Sequence, residues 1–348
     1  MTPEPTQPAA APRAARPAAR AAAPLGPADV GAARAVATRI VEETSKVIVG
    51  RPDAVRLAVY GMLANGHTLF EDVPGTAKTM LVKTMAQVTQ LQFARVQFTP
   101  DLLPADITGT YLYDMKNQQF VLRKGPLFAQ IVLADEVNRA PPKTQAALLE
   151  AMQERQVTLE GSTHPLPSPF LVFATQNPIE SEGVYILPEA ELDRFMLRIS
   201  MGYPNEDEEV EVLARFESWD GSAPPVGKAA TPAQLEKAQA AVRRVFVHPD
   251  LKRYIAQIVH FTRRDPRVQV GSSPRGSIAV MSLAKAGAAY KGRDFANADD
   301  VKEVAVAALA HRLLMRPEAA ARGASPFQVV QDALARVPTP KVPQVRVA

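Results

Sequence analysis

The sequence contains no cysteine, few aromatic residues and a single tryptophan among its 348 residues. The absence of cysteine excludes a disulfide framework, a cysteine-based zinc site and a cysteine nucleophile. No apolar run approaches the roughly 18 residues that a membrane-spanning helix requires. The hydrophobic content of 47% and the charged content of 22% are instead ordinary for a globular protein. A chain of this length predicts about two domains, or one large domain with an appendage.

A strong charge of one sign is also missing from the body of the chain. The formal net charge is +4, and residues 1–28 contribute about half of it through three arginines against one glutamate. The remaining chain is nearly neutral, which argues against a nucleic-acid-binding surface at the scale of a domain. The five histidines lack the spacing of metal ligands, so we expect no zinc site.

The two ends of the chain have few large apolar side chains. Residues 1–28 are mostly alanine, proline and arginine, and residues 338–348 are similarly poor in core-forming side chains. Such segments cannot bury enough apolar surface to offset the entropy lost on ordering, so both are predicted to be disordered tails. Pro12, Pro17 and Pro24 interrupt the apolar stretch that a signal peptide requires, so we expect a cytoplasmic protein.

Residues 29–204 alternate short apolar runs with helical periodicity, which is typical of an α/β fold with a parallel sheet. The run from Ile131 to Ala134 is apolar at consecutive positions, as expected for a strand that is covered on both faces. The five predicted strands span 67–71, 93–98, 129–134, 169–175 and 196–200. Helices are predicted between them at about 77–89 and 141–153.

Residues 205–337 carry helical patterns and no strand signal, which predicts an all-helical second domain. Asn205, followed by acidic residues, is the expected N-cap of its first helix, and Thr231 and Asn297 are expected to cap two later helices. The further predicted helices span about 232–246, 249–264, 274–290, 298–314 and 326–336.

A segment with the chemistry of a phosphate-binding loop follows the first predicted strand. It reads Asp72-Val73-Pro74-Gly75-Thr76-Ala77-Lys78-Thr79 and precedes a predicted helix. In such a loop the backbone N–H groups face phosphate, a lysine reaches the β- and γ-phosphate oxygens, and a hydroxyl binds Mg²⁺. Lys78 and Thr79 suit the last two roles.

Two positions depart from the GxxxxGK[ST] pattern, because Asp72 and Ala77 stand where glycines are usual. Ala77 is acceptable if its φ angle is negative, whereas Asp72 places an acid close to the expected anion. Taken alone, the segment is equally consistent with nucleotide binding and with an ordinary strand–turn–helix connection.

Two adjacent acids, Asp135 and Glu136, follow the apolar strand that contains Ile131. At the carboxyl edge of a parallel sheet, Asp135 can hold Mg²⁺ through water and Glu136 can polarise an attacking water molecule. A strand that ends in solvated acids is the alternative. A pair of acids on a strand beside a phosphate loop favours the catalytic interpretation.

Three further polar residues complete the predicted site. Asn177 follows the fourth strand and could orient the hydrolytic water, or could simply form a turn before a proline. Arg194 is a candidate arginine finger supplied across a subunit boundary, with a salt bridge to Glu191 or Asp193 as the alternative. Arg275 lies in the first turn of a predicted helix, where the dipole disfavours a cation, so either a phosphate lies nearby or it is a surface arginine.

Several strings of the sequence resemble the MoxR family of AAA+ ATPases. They are EDVPGTAKT, FTPDLLPADITGT, KGPLFAQIVLADEVNRAPPKTQAALLEAMQERQVTLEG, ATQNPIE, LPEAELDRF and GSSPRGS. The match runs from about residue 46 to 203 and resumes at 271–277, and its long central string is highly specific. The resemblance accounts for Ala77, because similar proteins often carry PGTAKT, and Asp72 also looks like a familiar variant.

The resemblance implies an AAA+ P-loop core with a parallel five-stranded sheet, a helical lid, and ATP and Mg²⁺ as cofactors. The implied phosphate-loop residues are Val73, Pro74, Gly75, Thr76, Ala77, Lys78 and Thr79. Val49 and Gly50 are placed at the adenine pocket, and Thr79 and Asp135 at the metal. The implied catalytic residues are Glu136, Asn177 as sensor 1, Arg194 as arginine finger and Arg275 as sensor 2.

The resemblance also implies how such a protein works. It implies a homo-oligomeric ring, usually a hexamer, that remodels or activates a client, often with a von Willebrand factor A domain partner. Residues 101–126 match the expected helix-2 insert, and residues 156–166 match the hairpin before the sensor-1 strand. A nucleotide-dependent scaffold with little hydrolysis and a McrB-like nucleic-acid motor are the alternatives. Arg139 is either a second arginine that acts on a neighbour or part of a structural ion pair.

Overall fold

The computed structural model describes residues 25–72, 75–177, 185, 187–219 and 224–340. Its strands are β1 (Thr68–Glu71), β2 (Phe93–Gln97), β3 (Gly109–Asp114), β4 (Gln119–Lys124), β5 (Ile131–Asp135), β6 (Gln156–Leu159), β7 (Ser162–Pro165), β8 (Leu171–Gln176), β9 (Leu197–Ile199), β10 (Val268–Val270) and β11 (Leu314–Met315). Its helices are α1 (Pro27–Ser45), α2 (Pro52–Leu63), α3 (Lys78–Thr89), α4 (Pro104–Thr108), α5 (Pro142–Glu154), α6 (Glu189–Leu192), α7 (Glu206–Ser218), α8 (Pro232–Arg244), α9 (Pro249–Arg264), α10 (Pro274–Tyr290), α11 (Ala298–Leu309), α12 (Pro317–Ala321) and α13 (Pro326–Arg336).

The central sheet contains the five strands that the sequence predicts, in the order β2-β5-β8-β1-β9. All neighbouring pairs run parallel, so the carboxyl ends of the strands meet at one edge. Glu71 pairs with Gln176 at this edge, and Gln97 pairs with Asp135. The loops after β1, β5 and β8 are therefore neighbours in space, as the phosphate-loop prediction requires.

Both faces of the sheet are covered, as the unbroken apolar run in β5 predicts. Ile131 and Leu133 contribute to one hydrophobic cluster, whereas Val132 and Ala134 contribute to the cluster on the opposite face. All four side chains are fully buried. Alternation of side chains along the strand gives each face its own apolar layer.

Apolar side chains of α1, α2 and the lid helices form one continuous core with one face of the sheet. Tyr60 of α2, Leu235 of α8 and Leu283 of α10 belong to the same cluster as Phe173 of β8. Because both parts share this core, the domain boundaries at 204/205 and 337/338 stay predictions.

The C-terminal region is helical but is not free of strands, which corrects one detail of the sequence analysis. β10 and β11 form a short antiparallel ladder, and α11 ends at Leu309 instead of extending to about residue 314. The expected N-caps are confirmed, since Asn205 and Asn297 each accept a backbone hydrogen bond from the third residue of the helix they begin.

Two antiparallel hairpins project from the core at the positions that the resemblance implies. β3 pairs with β4, and β6 pairs with β7. The Tyr111 hydroxyl lies 3.1 Å from His164 Nε2 and links the two hairpins. The β3–β4 hairpin exposes large apolar side chains, namely Leu112, Tyr113, Met115, Phe120 and Val121.

The N-terminal helix begins earlier than the predicted tail allows. α1 starts at Pro27, and Leu25 packs against the core, so the predicted tail at 1–28 extends a few residues too far. Residues 1–24 and 341–348 lie outside the described residues. Within the described part of the chain, none of the helices combines the length and the apolar character that crossing a bilayer requires.

Candidate active site

A cleft of about 1140 Å³ opens at the carboxyl edge of the sheet. It brings together the loop residues Gly75–Thr79, the acid pair Asp135 and Glu136, and Asn177. We call this the nucleotide cleft. Val73 and Pro74, which are also predicted to bind phosphate, lie outside the described residues.

The backbone of the phosphate loop takes left-handed conformations at two positions. Gly75 has φ +83° and Ala77 has φ +58°. The condition that Ala77 has a negative φ is therefore not met. A residue with a Cβ atom adopts this conformation at a cost of about 1–2 kcal/mol. Ala77 thus adopts the left-handed conformation that glycine usually adopts in such a loop, with the corresponding backbone strain.

Lys78 begins α3 and is half-buried at the floor of the nucleotide cleft. Its Nζ donates a hydrogen bond of 2.9 Å to the backbone carbonyl oxygen of Asp72. Burial lowers the pKa of Lys78, and the charges of Asp72, Asp135 and Glu136 oppose that shift. Burial and the positive end of α3 both disfavour the charge of Lys78. A phosphate group bound there would stabilise that charge.

The carboxylate of Asp72 has a structural role that the sequence does not reveal. Its Oδ2 accepts hydrogen bonds of 2.6 Å from the backbone N–H groups of Met201 and Gly202. These bonds fasten the end of β1 to the segment that leads from β9 into α7. They neutralise part of the negative potential that made Asp72 unexpected next to an anion.

Asp135 is largely buried and makes hydrogen bonds through both carboxylate oxygens. Its Oδ1 accepts from the Thr175 hydroxyl at 2.6 Å, and its Oδ2 accepts from Arg95 Nε at 3.1 Å and Nη2 at 2.7 Å. The Thr175 hydroxyl also accepts the backbone N–H of Glu136 at 2.8 Å. Thr175 and Arg95 were missed by sequence reasoning, although both lie on strands next to the one that ends in Asp135.

The carboxylate of Glu136 is held by two side chains of the same chain. Its Oε2 accepts from Gln97 Nε2 at 2.6 Å and from Arg139 Nη1 at 3.1 Å. Arg139 therefore belongs to a structural ion pair, which is one of the two interpretations left open. Gln97 was also missed, and its place at the end of β2, directly opposite Asp135, is the signal that indicates it.

The oxygen donors at this edge fit a magnesium ion that is bound together with a nucleotide. Asp135 and the Thr79 hydroxyl both line the nucleotide cleft. The described residues contain no cluster of three or more His, Cys, Asp or Glu side chains that could hold a metal by themselves. Mg²⁺ is usually held by one or two protein oxygens plus phosphates and water, so this sparse donor set is appropriate.

Asn177 lies in the nucleotide cleft, whereas Val49 and Gly50 do not contribute to its described walls. Gly50 has φ +65°, and a Cβ atom there would lie 2.6 Å from the Glu208 side chain. The two residues thus form a tight turn between α1 and α2 that abuts α7. The adenine contact expected of them stays a prediction.

Arg194 and Arg275 lie together in a second cleft, of about 280 Å³. Four arginines and a single carboxylate are among the described residues that line it, namely Arg155, Arg194, Arg275, Arg312 and Asp193. We call this the arginine cleft. Neither Arg194 nor Arg275 contributes to the described walls of the nucleotide cleft. The structure therefore separates both arginines from Lys78. For Arg194 this is consistent with the expected action across a subunit boundary, whereas Arg275 was expected at the same phosphates as Lys78.

Arg194 has no acidic partner among the described residues. The alternative interpretation of a salt bridge to Glu191 or Asp193 is not met, and its buried Nε finds no hydrogen-bond acceptor in the described part of the chain. Arg275 is half exposed, lies 3.8 Å from the Asp193 carboxylate and contacts Gln153 at 3.4 Å. The arginine cleft thus carries an excess of positive charge, which suits an incoming anion.

Two family models match the chain and together cover more than half of it. The model described as "ATPase family associated with various cellular activities (AAA)" matches residues 67–197. The model described as "AAA lid domain" matches residues 260–333. The first range contains the phosphate loop, the acid pair, Asn177 and Arg194, and the second contains Arg275.

Individual proteins are similar to this chain over most of its length. The uncharacterized protein YeaC of Bacillus subtilis is 45% identical over 305 residues, which are 87% of this chain and 94% of that protein. Chaperone MoxR1 of Mycobacterium tuberculosis is 43% identical over 314 residues, covering 87% of this chain and 82% of that protein. A crystal structure of a candidate ATPase from Cytophaga hutchinsonii superposes on this chain with a TM-score of 0.84. The sequences are 39% identical, and the match covers 90% of this chain and 98% of that one.

Proposed function

The chain belongs to the MoxR family of AAA+ ATPases and hydrolyses ATP, and from this premise we propose that it acts as a homo-oligomeric ring that remodels or activates partner proteins. The ring is a cytoplasmic hexamer that uses MgATP and works on a client or a von Willebrand factor A domain protein. The observation that carries the proposal is the separation of Arg194 and Arg275 from the nucleotide cleft of their own subunit.

This separation supports a ring because phosphoryl transfer needs positive charge opposite the γ-phosphate. One subunit supplies Lys78 in its nucleotide cleft, but Arg194 and Arg275 line a different cleft. A head-to-tail contact between identical subunits places one protomer's arginine cleft against the next protomer's nucleotide cleft, and such contacts close into rings. An arginine finger contributes about 10³–10⁵ in rate, so the isolated subunit is nearly inactive.

Within the composite site, each residue of this chain has a defined task. Lys78 and the backbone N–H groups of the phosphate loop bind the triphosphate, and Thr79 and Asp135 would hold Mg²⁺. The metal, when bound, neutralises charge on the β- and γ-phosphate oxygens. Glu136 polarises the attacking water after its carboxylate leaves Gln97, and Asn177 orients that water.

In the same composite site, Arg194 and Arg275 stabilise the transition state. A neighbouring subunit contributes Arg194 and Arg275, which stabilise the negative charge that develops on the transferred phosphoryl group. Arg275 thus acts on the neighbour's nucleotide in this proposal, together with the arginine finger, and not on the nucleotide of its own subunit.

The β3–β4 hairpin is the proposed contact for partner proteins. It exposes Tyr113 and Phe120, whose rings pack edge to face at 5.3 Å, beside other apolar side chains. Exposed apolar clusters of this kind mark protein-interaction surfaces. A pull-down with Glu136→Gln in ATP, which holds the ring in its nucleotide-bound state, is the direct route to the partner.

The proposed sharing of sites is tested by mixing two inactive variants. Glu136→Gln lacks the hydrolytic base but keeps both arginines, whereas Arg194→Ala keeps an intact nucleotide cleft. In a random 1:1 ring about a quarter of the clefts combine an intact Glu136 with a neighbour's intact Arg194, so about that fraction of wild-type ATPase activity returns.

The matched control mixes Glu136→Gln with Lys78→Ala, because both variants damage the nucleotide cleft and no arrangement of subunits repairs it. This mixture stays inactive. Failure of the first mixture to regain activity, with both variants still assembling and binding ATP, would contradict the proposed function.

A further inference from the structure

The carboxylate of Asp193 links the segment that carries Arg194 to the helix that carries Arg275, across the boundary between core and lid. Asp193 directly precedes Arg194 in the core. Its oxygens accept hydrogen bonds from the Ser273 hydroxyl at 2.9 and 3.1 Å and from Arg312 Nε at 2.9 Å. Ser273 is the N-cap of α10, and Arg275 lies in the first turn of that helix. One side chain therefore fixes the distance between Arg194 on the core and Arg275 on the lid.

Arg312 holds the backbone on both sides of Arg194. Its guanidinium donates to the carbonyl oxygens of Asp193 at 3.2 Å, of Phe195 at 2.6 Å and of Met196 at 3.2 Å. Its side chain is only 3% exposed. A planar guanidinium presents its donors in a fixed fork, so it defines the backbone geometry at this segment more tightly than a lysine could.

The position of Arg312 is costly, which argues that it has a specific purpose. Burial lowers the pKa of Arg312, and the Asp193 carboxylate opposes that shift. A buried ion pair contributes little net stability compared with apolar residues of similar volume, but it fixes one arrangement of the groups that it joins. Here the groups joined are the segment that carries Arg194 and the helix that carries Arg275.

Close packing removes the remaining freedom between α10 and Arg312. Gly276 lies one residue after Arg275, and a Cβ atom at this position would lie 2.0 Å from Ser272 Oγ and 3.3 Å from Arg312 Cδ. The nearest other atom is Leu309 Cδ2 at 2.9 Å, so the first turn of α10 packs closely on the segment that carries Arg312 and leaves little room for a side chain at residue 276.

We propose that Asp193 and Arg312 are positioning residues that hold Arg194 and Arg275 as one rigid unit, which enters the neighbouring subunit's nucleotide cleft. This inference rests on the proposed function, since it assumes that both arginines act in trans. A movement of the lid in one subunit then moves both arginines together and changes hydrolysis in the next subunit. Neither arginine can be withdrawn alone.

The test compares Arg312→Lys, which keeps the charge but loses the fork, with Arg267→Lys as a matched control. Arg267 pairs with Asp265 and Asp332 elsewhere in the lid. Misplacing a catalytic group by about 1 Å can cost about 10²-fold, so kcat in Arg312→Lys should fall at least about tenfold. The KM for ATP and the affinity of the nucleotide cleft should stay within about twofold, because that cleft is intact.

If Arg312 served only to stabilise the fold, a neighbouring subunit could not restore the activity of Arg312→Lys. The Arg312→Lys variant is therefore also mixed with Glu136→Gln. The Glu136→Gln subunit supplies correctly placed arginines to the intact nucleotide cleft of Arg312→Lys, and ATPase activity returns. Ser273→Ala removes the hydroxyl's bonds to Asp193 and its N-cap bond from the backbone N–H of Arg275, and it should lower kcat about threefold. In the same 1:1 mixture the rate per Ser273→Ala subunit should rise about twofold, because about half of these subunits then receive correctly placed arginines.

The outcomes separate this inference from the proposed function. If Arg194→Ala is rescued by Glu136→Gln but Arg312→Lys is not, the proposed ring stands and the positioning role is wrong. If neither is rescued, the proposed function itself is wrong. Should Arg312→Lys fail to fold, Ser273→Ala decides, because an unchanged kcat in that variant overturns the positioning role.

Discussion

The side-chain amide of Gln97 donates a 2.6 Å hydrogen bond to the carboxylate of Glu136 across two neighbouring strands of the sheet. Gln97 ends β2, and Glu136 follows the last residue of β5. The predicted catalytic base is thus held by an uncharged amide in addition to its ion pair with Arg139. Polarising a water molecule requires Glu136 to exchange this bond for one to water.

Replacing Gln97 with alanine should therefore raise the ATPase rate of the assembled protein. A hydrogen bond to a charged group is worth about 1.5–3 kcal/mol, and this one is exposed, so the lower value applies and releasing Glu136 should speed hydrolysis by about tenfold. Steady-state ATPase assays at saturating ATP measure the effect. Gln257→Ala, at an exposed position of α9, is the control. A slower Gln97→Ala enzyme would mean that Gln97 orients Glu136 for catalysis instead of restraining it.

Removing Arg95 should lower the Mg²⁺ concentration that nucleotide binding requires. Arg95 donates two bonds to the Asp135 oxygen that would otherwise be available to the metal, and its side chain is half exposed. Such a pair is worth about 1 kcal/mol or less, so the half-saturating Mg²⁺ concentration in Arg95→Ala should fall up to about fivefold. Titration of a fluorescent ATP analogue with Mg²⁺ provides the measurement.

Arg95→Lys is the matched control for that titration, because it keeps a cation near Asp135 without the paired donors. It should lie between the wild type and Arg95→Ala. An unchanged Mg²⁺ requirement in Arg95→Ala would show that Arg95 and the metal do not compete for Asp135.

Asp72→Ala should destabilise the protein without tightening ATP binding. The substitution leaves the N–H groups of Met201 and Gly202 without their acceptor, at a cost of about 1–3 kcal/mol. Thermal unfolding should show a loss of several degrees in Tm, and Asp72→Asn, which keeps one acceptor oxygen, should lose less. Stronger ATP binding with unchanged Tm would show instead that Asp72 acts mainly by repelling phosphate.

The stability of the fold should decline at mildly acidic pH through His67. The backbone N–H of Val172 donates to Nδ1 of His67, and Nε2 lies 3.1 Å from the Met152 carbonyl oxygen, which fixes the neutral ring with its proton on Nε2. Burial, with a smaller effect of Arg155, lowers the pKa of His67 to about 3. In the unfolded chain a histidine titrates near about 6.5, so below that pH the unfolded state binds the proton that the folded state rejects.

The sign of this effect is a loss of stability as pH falls, of about 1.4 kcal/mol per pH unit for one such histidine. Urea unfolding at pH 7, 6 and 5 measures how the free energy of unfolding depends on pH. In His67→Gln this dependence should be weaker by the contribution of about one proton. His260→Gln, at an exposed position, serves as the control. Equal slopes for His67→Gln and the wild type would contradict this origin.

The five strands of the central sheet could be predicted from the sequence because each of them is a short apolar run. The apolar run through Ile131 to Ala134 lies on β5, and the strand it predicts is buried on both faces. The short ladder of β10 and β11 was missed because its strands have three and two residues, which is too short for a periodic pattern. The end of the helix predicted at 298–314 was wrong for a similar reason, since a short 3₁₀ turn at Ala310–Arg312 and the first residue of β11 lie within that range.

The chemistry of the nucleotide cleft also followed from the sequence, but its supporting contacts did not. Lys78 and Asp135 could be placed together because the carboxyl ends of parallel strands meet at one edge. The partners Gln97, Arg95 and Thr175 depend on strand register, which the sequence does not specify. The adenine contact expected of Val49 and Gly50 stays a prediction, and Glu208 of α7 packs closely against that turn.

By itself, the sequence determined which groups are available for the reaction and on which chain segments they lie. The tertiary structure alone decided which cleft each group faces. Arg275 and Lys78 carry the same sign of charge and were expected at the same phosphates, yet Arg275 lies at the other cleft. There Asp193 accepts hydrogen bonds from Arg312, 119 positions away, and from Ser273, the N-cap of the helix that carries Arg275. Contacts over such separations are set by the packing of whole elements, and no local pattern in the sequence encodes them.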